Sequence, residues 1–238
     1  MPWENILCNV EILSDMEIPY KRPFVFSDPN RDFSKEELEK IILTKDSELG
    51  VYELQCIFQR YLPAGHYDEC AYFAPIAIDR IQSGCEEAAS LLYNFIFWCQ
   101  DNVIHLEEDD VLTDILGCLC DCFKVWTKEF ALVKKEDGGI SAKYSGEIEV
   151  LISAMNESKK LIDADWLINE HLLPLHTYDQ AAWLFMLLRN PTMNSTLLMS
   201  LKNDSLFNGK VNELILERVC KSSDPLVSAY WEDRKSVV

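Results

Sequence analysis

Glycine, proline and basic residues are all scarce in this chain. Its 238 residues include only 8 Gly and 9 Pro, which excludes a collagen-like or low-complexity sequence. Lys and Arg together number 22 against 40 Asp and Glu, so the formal net charge is −18. A charge this negative argues against binding to nucleic acid or to an anionic membrane through a general basic surface.

Long apolar runs are also missing, although 48% of the residues are hydrophobic and predict a globular chain with a sizeable core. The longest candidate for a membrane span, 88–99, is interrupted by Ser90 and Asn94 and is shorter than the roughly 18 residues that a span needs. The first residues show no signal-peptide pattern. We therefore expect a soluble, cytoplasmic protein.

The common catalytic and metal-binding motifs are absent from the sequence. It contains no phosphate-binding loop, no G-x-G-x-x-G, no G-x-S-x-G, no H-E-x-x-H and no C-x-x-C. With only four His, the chain is poorly supplied for metal or acid–base chemistry. We predict a protein that is not an enzyme and that has no cofactor.

Cysteine is more frequent than histidine, with nine residues against four. An odd number in a long chain predicts reduced, buried thiols and not a disulfide framework. Cys118, Cys120 and Cys122 resemble a zinc-ligand run, but on one helix Cys120 lies about 200° from Cys118, so the three thiolates cannot converge. They are expected to be small buried hydrophobes.

Apolar residues recur with helical spacing from residue 34 onward. The fold is predicted to be all-α, either an irregular multi-helix bundle or a HEAT-like α-solenoid of roughly nine or ten helices. Residues 1–33, broken by three prolines, are expected to form an extended N-terminal arm packed on the body. Residues 34–238 are expected to form a single all-helical domain.

Several helices have clear boundaries in the sequence. Ser34 and Glu37 form a capping box, Asp68 is expected to cap a helix that kinks or restarts at Pro75, and the helix over 179–189 is expected to lie centrally in the core. The longest helix is predicted over 109–134, with acidic first turns and Gly138-Gly139 after its end.

One short internal similarity joins residues 67–72 (Tyr-Asp-Glu-Cys-Ala-Tyr) to residues 178–183 (Tyr-Asp-Gln-Ala-Ala-Trp). Gene duplication explains it, and so does independent selection for Asp N-caps beside aromatic residues. Both explanations stay open at this stage.

The acidic residues are concentrated in one segment. Between Arg80 and Lys124 there is no Lys or Arg, and nine acids give this segment half of the total net charge. These nine candidate partner-binding residues are Glu86, Glu87, Asp101, Glu107, Glu108, Asp109, Asp110, Asp114 and Asp121. A solvated acidic face is one interpretation. A docking surface for a basic protein partner is the other, because clustered carboxylates accelerate and select such association.

Three functions follow. The first is a non-catalytic inhibitor of immunity or antitoxin type, whose acidic face binds and neutralises a basic partner such as a nuclease toxin. The second is a helical-repeat adaptor that holds a peptide or protein in an aromatic groove around Phe97 and Trp98. The third is an all-helical Mg²⁺-dependent enzyme that uses His105, Asp109, Asp110 and Asp114. We expect the first, with neither nucleic acid nor membrane as a partner.

Overall fold

The protein is mostly helical. The computed structural model describes residues 16, 18–27, 33–61, 63–84, 88–157, 161, 163–191, 193 and 195–235. Across these residues it is 67% helical, with thirteen α-helices and a single two-stranded sheet. The predicted all-α class is confirmed. The helices outnumber the predicted nine or ten partly because residues 103–108 form a short helix of their own.

The chain divides into two compact units, described separately here. Unit 1 comprises residues 1–122 and 157–162, and unit 2 comprises residues 123–156 and 163–238. The expectation of one domain over 34–238 stays a prediction.

Unit 1 is built around α5. Its helices are α1 (Lys35–Leu43), α2 (Val51–Ile57), α3 (Tyr67–Ala71), α4 (Ala74–Ser83), α5 (Ala88–Asp101), α6 (Val103–Glu108) and most of α7 (Leu112–Thr127). α5 packs against α2, α4 and α6. Phe58, Phe95 and Trp98 form its aromatic centre, with ring centroids 5.0–6.0 Å apart.

Local sequence chemistry explains where these helices begin. Ser34 and Glu37 form the predicted capping box, and the chain restarts as α4 with Pro75 in its first turn, as expected. The prediction that Asp68 is an N-cap is wrong, because α3 begins at Tyr67 and its N-cap is His66. Glu69 accepts a hydrogen bond from the His66 N–H. Asp68 therefore lies in the first turn.

Parts of the N-terminal arm contact unit 1. Phe26 is buried against Phe73, and Arg22 forms an ion pair with Asp46. The Ser27 N–H and hydroxyl both donate to the Glu69 carboxylate. Residues 1–15, 17 and 28–32 lie outside the described part of the chain, so the arm as a whole stays a prediction.

Unit 2 combines helices with a small hairpin. Its elements are β1 (Leu132–Lys134), β2 (Ile140–Ala142), α8 (Ser145–Glu157, its last residue in unit 1), α9 (Ala164–His171), α10 (Tyr178–Arg189), α11 (Thr196–Lys202), α12 (Ser205–Lys221) and α13 (Pro225–Lys235). α10 packs against α11 and α12, and α13 packs against α12 and both strands. Seven of the twelve α10 residues are buried, which confirms its predicted central position.

The helix predicted over 109–134 is shorter than expected. α7 spans Leu112–Thr127, and residues 132–134 form β1, which pairs antiparallel with β2 so that Val133 lies opposite Ser141. Gly138 adopts a φ of 86° in the connecting turn, and Asp137 accepts a hydrogen bond from the Gly139 N–H. The glycine pair thus closes a hairpin and does not end a helix. Phe130 and Val133 continue the helical spacing of apolar residues by coincidence, and this led to the prediction of a longer helix.

Phe130 is instead the aromatic centre of unit 2. Its ring contacts those of Tyr178, Trp183, Tyr230 and Trp231, with centroids 4.7–6.1 Å apart. Its backbone N–H donates to Asp179 over 2.8 Å. Asp179 therefore binds the backbone just before the hairpin. The N-cap of α10 is Thr177.

The two similar segments have the same local structure. In each, Tyr is the first helical residue, and Glu69 or Gln180 at the third position accepts from the backbone N–H of the N-cap. Neither Asp is a cap. The capping-box acceptor at the third position is common to both segments, and duplication and independent selection both stay predictions.

Candidate acidic interface

Five of the nine predicted partner-binding residues are exposed together in unit 1. Asp101 ends α5, Glu107 and Glu108 end α6, Asp110 lies in the connection, and Asp114 lies in the first turn of α7. We call these five residues the acidic surface. They fall within residues 101–114, because α5, α6 and α7 follow one another with connections of one to three residues.

The other four predicted residues do not belong to this exposed set. Glu86 and Glu87 lie outside the described residues. Asp109 is half-buried, and Asp121 is buried at 7% exposure. As a buried residue, Asp121 cannot be part of an exposed acidic face, so its predicted partner contact is corrected.

Asp109 is held by aromatic residues from elsewhere in unit 1. The Tyr67 hydroxyl donates to Asp109 Oδ2 over 2.7 Å, and the Tyr67 ring is stacked on Trp98 at 5.7 Å and 8°. Tyr20 contacts the Tyr67 ring edge-on and also hydrogen-bonds Asp109. Burial and the neighbouring carboxylate raise the pKa of Tyr67 and of Tyr20, which keeps both hydroxyls protonated as donors. Asp109 is thus an anchor for the α6–α7 connection.

Asp110 adopts a conformation that is uncommon for a residue with a side chain. Its φ is 59°, in the left-handed region usually occupied by glycine. The next N–H, of Val111, donates back to the Leu106 carbonyl over 3.0 Å, which closes the end of α6. This turn directs the chain from α6 into α7.

Positive partners are scarce around the acidic surface. Among the described residues, no Lys or Arg lies within ion-pair distance of any of its five carboxylates. The one ion-pair contact is His105 Nδ1 to Glu108 Oε2, at 3.6 Å. The acidic surface therefore keeps its negative charge.

Three of the five carboxylates occupy unfavourable helix ends. Carboxylates stabilise a helix N-terminus and destabilise a C-terminus, because the helix dipole is negative there. Asp114 fits this rule, whereas Asp101, Glu107 and Glu108 lie at the C-terminal ends of α5 and α6. Of the three acids predicted in the first turns of the longest helix, Asp109, Asp110 and Asp114, the structure places only Asp114 in the first turn of α7.

The cysteine run on α7 is buried, as predicted. Cys118, Cys120 and Cys122 are at most 3% exposed, and burial raises the pKa of Cys118 to about 11 and of Cys122 to about 12. Cys220 is exposed, which corrects the expectation of uniformly buried thiols. Within the described residues, no three His, Cys, Asp or Glu side chains are grouped as metal ligands.

Asp121, between two of these cysteines, has a buried Oδ1 with no hydrogen-bond donor among the described residues. It adds to the coulombic influence that keeps the Cys118 and Cys122 thiols neutral. Asp121 is therefore part of the interior of unit 1.

The aromatic residues predicted for an adaptor groove are also buried. Phe97 and Trp98 are each 3% exposed. The Arg60 guanidinium covers Phe97 at 3.4 Å from the ring centroid and donates to the Tyr93 hydroxyl over 2.6 Å. The predicted aromatic groove is therefore wrong at these two positions.

The residues predicted for a Mg²⁺ site are not arranged as ligands. Asp109 accepts from Tyr67, and the His105 ring lies against the Tyr67 ring at 4.9 Å. The grouping of Tyr20, Tyr67 and Trp98 around Asp109 was missed from the sequence. The interleaved aromatics near Asp68 were visible there, but a 42-residue separation between Tyr67 and Asp109 carries no local signal.

No family model, curated protein or solved structure matches this chain. Among the helices described, none combines the length and apolar character needed to cross a membrane.

Proposed function

We propose that this protein is a non-catalytic binding protein whose acidic surface engages a basic protein partner. One observation carries the proposal: Asp101, Glu107 and Glu108 lie at helix C-termini, where carboxylates reduce stability, and no Lys or Arg among the described residues neutralises them. Charge kept at a cost to folding is accounted for by binding. A solvated face would serve equally well with neutral polar residues.

Electrostatics determines what kind of partner fits. Uncompensated carboxylates attract cations over about one Debye length, ~8 Å at physiological salt, and accelerate the encounter with a basic surface. They also repel nucleic acid and anionic partners. The finer form of the proposal is a cytoplasmic inhibitor of immunity or antitoxin type that neutralises a basic toxin, for which the negative charge is the support.

The test is capture of a partner from cells that express the protein, at low ionic strength, followed by kinetic measurements on the purified pair. The triple variant Asp101→Lys/Glu107→Lys/Glu108→Lys reverses the charge at three of the five residues of the acidic surface and leaves Asp109 unchanged. The control variant Glu129→Lys/Glu136→Lys/Glu213→Lys changes net charge equally at exposed positions of unit 2.

We expect the first variant to slow association by roughly ten- to a thousandfold at low salt, mainly in the on-rate, and the control to change it little. Raising the salt concentration should reproduce the loss for the unmodified protein. A partner bound equally well by both variants, or bound independently of salt, contradicts the proposal.

A further inference from the structure

Two adjoining cavities in unit 2 have a chemistry opposite to that of the acidic surface. One, of about 240 Å³, is apolar and is lined by Phe185, Ile215, Leu216, Val219 and Trp231. The other, of about 370 Å³, is the more polar of the two, and its lining includes Ser145, Glu149, Arg189, Asn190 and Tyr230; we call it the polar cavity. Phe185 and Arg234 line both cavities, so the two adjoin.

Helix ends bring the two guanidinium groups to the polar cavity. Arg189 is the last residue of α10, and Arg234 lies near the end of α13, where the helix dipole favours a cation. Arg189 lies over the Phe185 ring at 4.1 Å, and Arg234 lies over the Tyr230 ring at 3.6 Å. Arg234 Nη1 also donates to the Tyr230 carbonyl. These contacts fix both side chains along the cavity wall.

Guanidiniums outnumber carboxyls among the side chains that line the polar cavity. Arg189 and Arg234 line it together with one carboxyl, that of Glu149, which accepts a hydrogen bond from Asn190. Arg234 Nη1 also lies 3.8 Å from the exposed Asp233 carboxylate. Burial raises the pKa of the Glu149 carboxyl, and the hydrogen bond from Asn190 opposes this rise. Ser145, in the first turn of α8, adds a hydroxyl and lies at the helix end that favours anions.

The apolar cavity supplies the other half of a recognition site. Its walls come from α10, α12 and α13, and Leu216 at its rim is 49% exposed. The Trp231 Nε1–H donates to the Tyr178 hydroxyl over 3.1 Å, which fixes the indole. Apolar walls next to a few convergent polar groups are typical of small-molecule sites.

We propose that these cavities form a binding site for a small carboxylic acid with an apolar chain. The chain occupies the space between Leu216 and Trp231, and the carboxylate lies between Arg234 and Arg189. A carboxylate fits because a guanidinium binds it through paired hydrogen bonds. A small ligand fits because the two volumes together lie within the range of about 300–1,000 Å³ typical of such pockets.

Octanoate is the probe, titrated into the full chain by calorimetry. Acetate carries the carboxylate without the chain, and octanol carries the chain without the carboxylate. We expect octanoate to bind at least about tenfold more tightly than either, because each lacks one half of the recognised chemistry. Equal binding of octanol and octanoate, or no heat from octanoate at millimolar concentration, overturns the proposal.

Two variants separate the site from general charge effects. Arg234→Gln is expected to weaken octanoate binding about ten- to a hundredfold, because a charge-assisted pair is lost. The matched control Lys210→Gln removes one positive charge from an exposed position of α12 and is expected to leave binding unchanged. Equal weakening by both variants contradicts a localised carboxylate contact.

Leu216→Glu tests the apolar half and should abolish octanoate binding, while its partial exposure lets the fold tolerate the charge. Thermal unfolding of each variant without ligand verifies folding. Peptide C-termini share the ligand chemistry, so N-acetyl-leucine is titrated in parallel. Binding of N-acetyl-leucine without octanoate overturns the proposal in favour of a peptide ligand.

Discussion

Asp109 and Asp110 are adjacent in the sequence and occupy different environments. Asp109 is half-buried and accepts a hydrogen bond from Tyr67, whereas Asp110 is exposed in a left-handed conformation. The first stabilises the connection between α6 and α7, and the second contributes charge to the acidic surface. Substitutions at the two positions are therefore expected to affect different properties.

Tyr67→Phe tests the anchoring role of Asp109. The variant keeps the ring that stacks on Trp98 and removes only the hydroxyl that donates to Asp109. We expect a loss of about 1–3 kcal/mol in the free energy of unfolding, measured by urea denaturation, because a half-buried carboxylate loses a donor.

The matched control is Tyr61→Phe, at a tyrosine that is 76% exposed. Its effect on unfolding should be close to zero. Equal effects of the two substitutions would show that the hydroxyl of Tyr67 contributes nothing beyond that of an exposed tyrosine.

At the scale of the element, the carboxylates at the C-terminal ends of α5 and α6 reduce helix stability and belong to the proposed partner-binding surface. Replacing Asp101, Glu107 and Glu108 by Lys puts a favourable charge at each of these ends. We expect each substitution to stabilise the protein by about 0.3–1 kcal/mol at low ionic strength. Thermal unfolding at low and high salt measures this, and the gain should shrink as salt screens the charges.

The control triple variant at Glu129, Glu136 and Glu213 reduces the net charge by the same amount without changing the ends of α5 or α6. A similar gain in both triple variants would mean that relief of overall repulsion, and not the helix dipole, is responsible.

The end of α6 supplies a second prediction at this scale. Asp110 has a φ of 59°, so Asp110→Ala places a less tolerant residue in the left-handed region and should destabilise the protein by about 1 kcal/mol. Asp110→Gly should retain or increase stability, because glycine adopts this conformation without steric cost. Urea denaturation of both variants gives the order. Equal losses would mean that the carboxylate, and not the backbone, matters at this position.

At the scale of the whole molecule, buried thiols make stability depend on alkaline pH. Burial raises the pKa of both Cys70 and Cys122 to about 12. In the unfolded chain these thiols ionise at about 8.5, so their contribution is complete below that pH and is lost as the pH rises toward 12. Each fully shielded thiol should lower the free energy of unfolding by about 1.4 kcal/mol per pH unit within this window.

Urea denaturation at several values between pH 8 and pH 10 measures this slope. The variant Cys70→Ala/Cys122→Ala should show a shallower decline than the unmodified protein, whatever its stability at neutral pH. An unchanged slope would assign the alkaline loss to other groups, such as the tyrosines around Asp109, whose pKa is also raised.

Local sequence patterns predicted helical elements, because apolar residues that recur every three or four positions form one face of a helix. The capping box at Ser34, the restart at Pro75 and the buried α10 were all predicted from neighbouring residues. The same local pattern failed at Phe130 and Val133, where helical spacing continued into a hairpin. The spacing of apolar residues does not depend on the structure they adopt. Apolar residues of a hairpin that follows a helix can therefore continue the helical spacing by coincidence.

The sequence by itself also determined that half of the net charge lies between Arg80 and Lys124. Only the tertiary structure decided which of those carboxylates face solvent: Asp110 does, Asp109 is held by Tyr67, and Asp121 is buried. Formal charge is a property of each residue type, so its distribution along the chain follows directly from the sequence. Exposure depends on residues that are distant in sequence and brought near only by packing, as Tyr67 is to Asp109.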